Sequence, residues 1–319
     1  MAELREYRDT DLPKLVETWN ACFVGCPNYV RVGEGDLRRR VLDQPGFDRR
    51  GVLIAGDGVR LLGFVHFGPR LEWHDSLAWG PRSRDEGHVY ALVAPETERS
   101  LIAELLAAAE ERLAAGGARR VLLGPSWVYG VQPFYNGIAG AYEIPGLSVT
   151  RRAVVELAEA RSYRLVAEYG TPELDLSGPD PLRRLAEVAG GLRAQAREWG
   201  LRAHRRLIEE RYFPNRMLVE LARGGEVVAT TAYGVWPEYL RQNRRRLYGL
   251  TTVHVTAGWR GKGLGKLIMV EAMEAAVRDG AEAVHLHVWR GNEPAWGLYH
   301  RALGFQPRHS WVTLEKALG

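Results

Sequence analysis

Hydrophobic and polar positions follow the same order twice along this chain. A short alternating stretch at Glu3-Leu4 leads to Asp9-Thr-Asp-Leu-Pro-Lys-Leu15, and another at Glu173-Leu174 leads to Pro179-Asp-Pro-Leu-Arg-Arg-Leu185. Each reads as a strand followed by an Asp-marked helix start. Two hairpins come next, Val52–Ala55 with Arg60–Gly68 around Gly56-Asp-Gly58, and Met217–Ala222 with Glu226–Val235 around Arg223-Gly-Gly225. Glycine-bearing turns between apolar runs are hairpin signals. Each half then predicts a strand (Gly87–Val93; Leu247–Val255) and a helix closing on glycine (Ser100–Ala115 before Gly116-Gly117; Leu264–Asp279 before Gly280). Further strands at Arg120–Leu123 and Ala283–Val288, and last helices at Val149–Arg161 and Pro294–Leu303, complete the two series.

This order predicts an α+β chain of two tandem domains, each a mixed, mostly antiparallel sheet flanked by helices. The expected boundary lies near Gly170, with domains at 1–170 and 171–319. A length of 319 residues, 46% hydrophobic and 26% charged, suits two soluble domains. No apolar run approaches a membrane span, and Met1-Ala-Glu-Leu-Arg5 does not read as a signal peptide, so a cytoplasmic location is the expectation. Cys22 and Cys26 make neither a disulfide framework nor a zinc site, and read as reduced, buried thiols. The net charge of +4 comes largely from arginine, densest at Arg202–Arg206 and Arg241–Arg246. Arg-rich turns on a solvated face account for it, and neither a membrane nor a nucleic acid is expected as partner.

The chemistry concentrates at Arg260-Gly-Lys-Gly-Leu-Gly265, between a predicted strand and a predicted helix. Gly263 and Gly265 permit a sharp turn and close approach of a ligand to the backbone. The exposed N–H groups of the helix start then favour an anion such as a pyrophosphate. Downstream follow Val284-His-Leu-His-Val288, Asn292, Ala295, Leu298-Tyr299 and Leu303-Gly-Phe305. Together these residues resemble the GCN5-related N-acetyltransferase (GNAT) superfamily, most strongly over Leu247–Phe305. The chain shows neither the glycine pattern of a Rossmann fold nor the closing Gly-Lys-Ser/Thr of a nucleotide-hydrolase loop.

The resemblance implies an acetyl-CoA cosubstrate and no metal. It places Arg260, Gly261, Lys262, Gly263, Leu264 and Gly265 around the coenzyme pyrophosphate. It puts the backbone of Val253 and Val255 against the pantetheine arm and the thioester carbonyl, with Asn292 also touching the coenzyme. Tyr299 is implied to assist the departing thiolate. A phenol is a weaker acid than a thiol by about 2 kcal/mol, so a strengthening hydrogen bond describes this better than full proton transfer. The acceptor amine must lose a proton first. Some family members carry the base as a Glu on the strand before the glycine loop, and Leu247–Val255 has no carboxylate; the resemblance instead implies His287, which stands where the family's ribosomal-protein acetyltransferases carry a Glu, with His254 and His285 as rivals and water-mediated deprotonation also open.

In the first half the corresponding loop is Thr97-Glu-Arg-Ser-Leu-Ile102, with Glu98 opposite Gly261, and Leu157 stands opposite Tyr299. This half is expected to be a degenerate domain without an intact coenzyme loop. Its segment Gly124–Leu147 carries Trp127, Tyr129, Phe134, Tyr135 and Tyr142, which reads either as a wall of the acceptor pocket or as packing on its own domain. The expected function is acetyl transfer to a small-molecule or peptide primary amine by direct attack in a ternary complex, with residues 171–319 active. Alternatives are a mycothiol-synthase-like acetyltransferase acting on a cysteinyl pseudo-disaccharide and a non-catalytic acyl-CoA sensor. A tRNA-dependent aminoacyl transferase is disfavoured by the intact Gly263/Gly265 loop.

Overall fold

The glycines expected to end helices do so by capturing free carbonyls. In the computed structural model, which describes residues 3–44, 46–71, 85–126, 134–208 and 216–319, Gly117 takes φ 93° and Gly280 φ 94°. Gly117 N–H donates to Ala114 O and Ala118 N–H to Leu113 O, at 2.9 and 3.0 Å; Gly280 N–H donates to Val277 O and Ala281 N–H to Ala276 O, at 2.9 and 2.8 Å. Both are paired closures through a left-handed residue, a conformation that glycine adopts without strain.

The chain divides into two compact units, residues 1–169 with 309–319, and residues 170–308. The division falls at 169/170. The last eleven residues differ from expectation: they belong with the first unit, because the final strand pairs with that unit's own sheet.

Unit 1 contains β1 (Glu3–Glu6), α1 (Leu12–Phe23), α2 (Glu34–Leu37), β2 (Val52–Gly56), β3 (Leu61–Pro69), β4 (Glu86–Val93), α3 (Arg99–Ala115), β5 (Arg120–Leu123), β6 (Leu147–Ser148), α4 (Arg152–Ala160) and the start of β7 (Arg164–Asp175). Its strands run β1-β2-β3-β4-β5 and then the end of β14 (Gln306–Ala317). Neighbours are antiparallel except β4 and β5. Leu314 pairs with Leu123 on that edge. Hydrophobic side chains of the sheet pack on α3 and α4 through Val65, Val121, Leu105 and Val154. A second cluster holds α1 through Trp19, Phe64 and Tyr135.

Unit 2 contains the end of β7, then α5 (Pro181–Ala189), α6 (Leu192–Glu198), β8 (Arg202–Ile208), β9 (Arg216–Arg223), β10 (Glu226–Val235), α7 (Pro237–Gln242), β11 (Leu247–Val255), α8 (Leu264–Arg278), β12 (Ala283–His285), β13 (Val288–Trp289) and α9 (Glu293–Trp296). The order is β7-β12-β11-β10-β9-β8, again with a single parallel pair, β11 and β12. α8 buries Leu264, Leu267, Ile268, Met269, Ala272 and Met273 in the core. Its Glu271 and Glu274 leave that core paired with Arg193 of α6 at 2.7 and 2.6 Å.

Three expectations change. Arg202–Arg206 lies on the exposed edge strand β8 and not on a turn. The predicted strand Ala283–Val288 breaks into β12 and β13. The last helix is α9 continued by a π-type turn over Gly297–Ala302. The thiols of Cys22 and Cys26 are free and half-buried, and burial raises both pKa values, that of Cys22 to about 11.

Candidate active site

The parallel pair in unit 2 holds only from Leu247↔Ala283 to Gly249↔His285. Beyond it β11 continues to Val255, while the neighbouring chain turns away and Leu286 N–H donates to Pro172 O at 3.3 Å. The two strands therefore part, and a cleft opens between them. β11 also carries a bulge: Thr230 faces His254 and Ala232 faces Thr251, so Thr252 and Val253 together oppose Thr231. Thr252 takes φ 56°, an uncommon conformation for a β-branched residue. Thr231 Oγ1–H donates to Thr251 O at 3.0 Å, and Arg216 Nη1 donates to Thr251 Oγ1 at 2.6 Å, bonds that hold the strand on each side of the kink.

Past the bulge, Thr256 N–H donates to Val228 O at 2.9 Å. His254 and Thr256 thus carry the hydrogen-bonding phase that faces β10. By strand alternation, the N–H groups of Val253 and Val255 face the side where pairing with β12 has ended. Val255 O accepts from Arg260 Nε at 3.0 Å, which ties the loop to the strand end.

Gly261 and Gly263 take φ 76° and 77°. Gly263 is the N-cap of α8, and with no side chain it offers no capping acceptor. The first bond into the helix is Leu267 N–H to Gly263 O at 3.0 Å. The N–H groups of Leu264, Gly265 and Lys266 precede it and have no partner within the helix, which is the arrangement that binds anions. A Cβ at Gly263 would also lie 2.6 Å from Leu192 Cδ2. Gly265 has ordinary helical backbone, and a Cβ there would meet Leu298 and Val255 at 3.5 and 3.8 Å. The turn therefore requires glycine at 261 and 263, where the sequence pointed to 263 and 265.

Lys262 has no carboxylate partner among the described residues. Its Nζ lies 4.6 Å from the Trp259 ring centre and 5.7 Å from that of Trp199, and the two indoles meet edge to face at 5.9 Å. Cation–π attraction thus holds a positive charge at the glycine loop without neutralising it.

Tyr299 sits in the π-type turn, 6% exposed. Its ring is 6.0 Å from Phe305, and its backbone O accepts from Phe305 N–H at 3.0 Å. Its hydroxyl has no hydrogen-bond partner among the described residues, and burial pushes its pKa up. Asn292 is exposed and caps α9, its Oδ1 accepting from Ala295 N–H at 3.2 Å. Its amide NH2 remains for another contact.

The histidines separate clearly. His254 is exposed on β11. His285 is buried, with its ring 5.4 Å from Trp236 and 5.4 Å from His287. His287 is half-buried, with Nδ1 2.7 Å from Thr171 Oγ1. Glu173, opposite His285 in register, is already paired with Arg245 at 2.7 Å. Trp199, Trp259 and Thr171 had not been singled out from the sequence. Only Trp259, one residue before the loop, carried a local signal.

Unit 1 repeats the architecture without this helix start. The N-cap of α3 is Glu98, with φ −93° and no side-chain cap hydrogen bond. No residue from Pro95 to Ile102 has a positive φ. Of the aromatic segment, Phe134 and Tyr135 pack in the unit 1 cluster with Trp19 and Phe64, which supports packing on its own domain, and Tyr142 is buried; Trp127 and Tyr129 lie outside the described residues.

Comparison with known proteins bears on the same region. Residues 187–305 match the acetyltransferase (GNAT) family model. Among solved structures, 99% of the chain superposes on a GCN5-related glucosamine N-acetyltransferase region of a fungal multi-domain GH3 β-N-acetylglucosaminidase, at TM-score 0.65 and 15% identity. The match spans 38% of that longer chain. A tandem GNAT protein from the clavulanic acid biosynthesis pathway matches at TM-score 0.62 and 15% identity, covering 100% of this chain and 99% of that one. A GCN5-related N-acetyltransferase from Sphaerobacter thermophilus gives 0.58 and 16%, covering 99% and 96%. No curated protein matches by sequence.

Proposed function

The chain belongs to the GNAT superfamily, and on that premise we propose that it transfers an acetyl group from acetyl-CoA to a primary amine, with unit 2 as the active unit. The observation that carries this reading is the start of α8: three N–H groups without helical partners, a two-glycine turn and Lys262, all beside the end of the splayed strand β11. A pyrophosphate suits that charge and shape. In this reading Arg260 leads the loop and braces it against Val255 O. Gly261 to Gly265 surround the phosphates, and the Asn292 amide contacts the coenzyme.

The thioester then lies along β11. The amine nitrogen attacks its carbonyl carbon, and the oxygen that gains charge is met by the N–H groups of Val253 and Val255, oriented before reaction begins. As the C–S bond breaks, the Tyr299 hydroxyl donates a hydrogen bond to the leaving thiolate, and the proton that the nitrogen sheds as the amide forms passes to solvent. The amine reaches the carbonyl uncharged, its proton taken by His287, whose ring is oriented by Thr171. No covalent acyl-enzyme is required. The half-buried thiols of Cys22 and Cys26 lie in unit 1, and burial keeps them protonated.

A thiol-release screen of the full chain with acetyl-CoA tests the proposal, using small amines, peptides and aminoglycosides as acceptors. Amine-dependent release of coenzyme A with an N-acetylated product is expected. Coenzyme binding with only slow hydrolysis across the whole panel would point instead to a sensor.

A further inference from the structure

From β12 into β13 the chain alternates between two environments. Val284, Leu286 and Val288 are buried in the core that α8 shares. His285, His287 and Trp289 therefore point to the opposite face, and the two imidazole rings lie 5.4 Å apart on it. Exposure rises along that row. His285 is 1% exposed, His287 is half-buried, and Trp289 is 45% exposed.

The Trp289 indole is open on one side and seated on the other. A Cβ at Gly291 would lie 2.5 Å from Trp289 Cζ2 and 2.6 Å from its Cη2, so the ring rests where only glycine leaves room. Trp289 O accepts from Asn292 N–H at 3.0 Å and from Trp296 Nε1–H at 3.2 Å, which ties down the backbone beneath it. The neighbouring cation is drawn elsewhere: the Arg290 guanidinium lies over Trp296, 4.7 Å from the ring centre. A single exposed apolar residue needs no explanation. An exposed indole held in place, two residues from the proposed base and on the same row, is a surface prepared for a ring.

The two faces of the sheet also keep the two substrates apart. The pyrophosphate is assigned to the start of α8, which packs on the face of Val284, Leu286 and Val288. An acceptor that meets His287 comes from the other face, where Trp289 stands. Residues i and i+2 of a strand are about 6.6 Å apart, roughly the distance from an amine nitrogen to a ring two or three carbons away. Flat rings pack on an indole by offset stacking.

We propose that the acceptor is a primary amine joined by a short chain to a planar ring, with its nitrogen at His287 and its ring on Trp289. This specificity rests on the reading of unit 2 as the acetyltransferase. The probes are phenethylamine and hexylamine, which differ mainly in the ring, assayed with acetyl-CoA on the full chain. Phenethylamine should be favoured about tenfold in kcat/KM, chiefly through a lower KM. Trp289→Ala should shrink that preference to about threefold or less, and Trp289→Phe should retain most of it. Acetyl-CoA affinity should be unchanged in both variants. Equal use of the two amines, or an undiminished preference in Trp289→Ala, would overturn the proposal and leave acetyl transfer standing. Weaker acetyl-CoA binding in folded Trp289→Ala protein would assign the indole to the coenzyme and overturn it as well. If Trp289→Ala does not fold, the wild-type preference and its persistence in Trp289→Phe decide, and loss of preference in the folded Phe variant is the contrary result. Failure to acetylate any amine of a broad panel would overturn both the proposal and the reading beneath it.

Discussion

At Tyr299 burial and chemistry pull in a common direction. The side chain is almost wholly enclosed, and its pKa stands above the ordinary phenol range. The group therefore keeps its proton throughout the neutral and mildly alkaline range. It is well placed to donate a hydrogen bond and poorly suited to give the proton away. Tyr299→Phe retains the ring and its packing on Phe305, so only the hydroxyl is lost. Turnover should fall by about 10- to 100-fold where chemistry limits the rate, with acetyl-CoA affinity unchanged. The check is kcat against the acetyl-CoA dissociation constant for both proteins, and wild-type turnover in the variant would leave Tyr299 a packing residue. The position of Tyr299 was legible from its spacing to Asn292 and Phe305. The positive φ of Thr252 was not, because nothing in Thr-Thr-Val marks a bulge that pairing with β10 creates.

The elements around α8 show what spacing can and cannot reveal. A strand, a glycine turn and a helix were readable at Leu247–Asp279 because apolar periodicity changes at Arg260–Gly265, and the structure places β11 and α8 there. The edge strand β8 was missed because its arginines and exposed side chains carry no alternation of burial. The partner of Lys262 was equally hidden: Trp199 lies far away in sequence and meets the loop only through folding. Cation–π contacts leave the charge of Lys262 available for a phosphate. Lys262→Met should therefore weaken acetyl-CoA binding by about tenfold, and the remaining affinity should depend less on salt. Titrations at two ionic strengths check this, and equal affinity with equal salt dependence in the variant would remove Lys262 from the site.

On the scale of the whole molecule, the repeated order of elements was visible along the sequence, whereas the place of residues 309–319 in unit 1 was not. A closing strand carries no local mark of the sheet it will join. Unit 1 also encloses a histidine. His66 in unit 1 is enclosed by Phe47, Tyr90, Phe134 and Tyr135, and burial holds its pKa down at about 3. The unfolded chain protonates this histidine near pH 6.5, while the folded chain does not. Stability is thus fully present above that pH and declines as pH falls toward 3, by about 1.4 kcal/mol per unit for this group alone. Urea unfolding at pH 7.5 and pH 5.5, with His66→Phe as control, should show a smaller loss in the variant; equal losses would contradict it. The central claim is that one helix start, in unit 2, holds the coenzyme, and the most direct test is calorimetric titration of the full chain with acetyl-CoA. One equivalent per chain is predicted, with binding abolished in Gly263→Glu protein shown by circular dichroism to be folded. Two equivalents per chain, or undiminished affinity in that folded variant, would contradict the account.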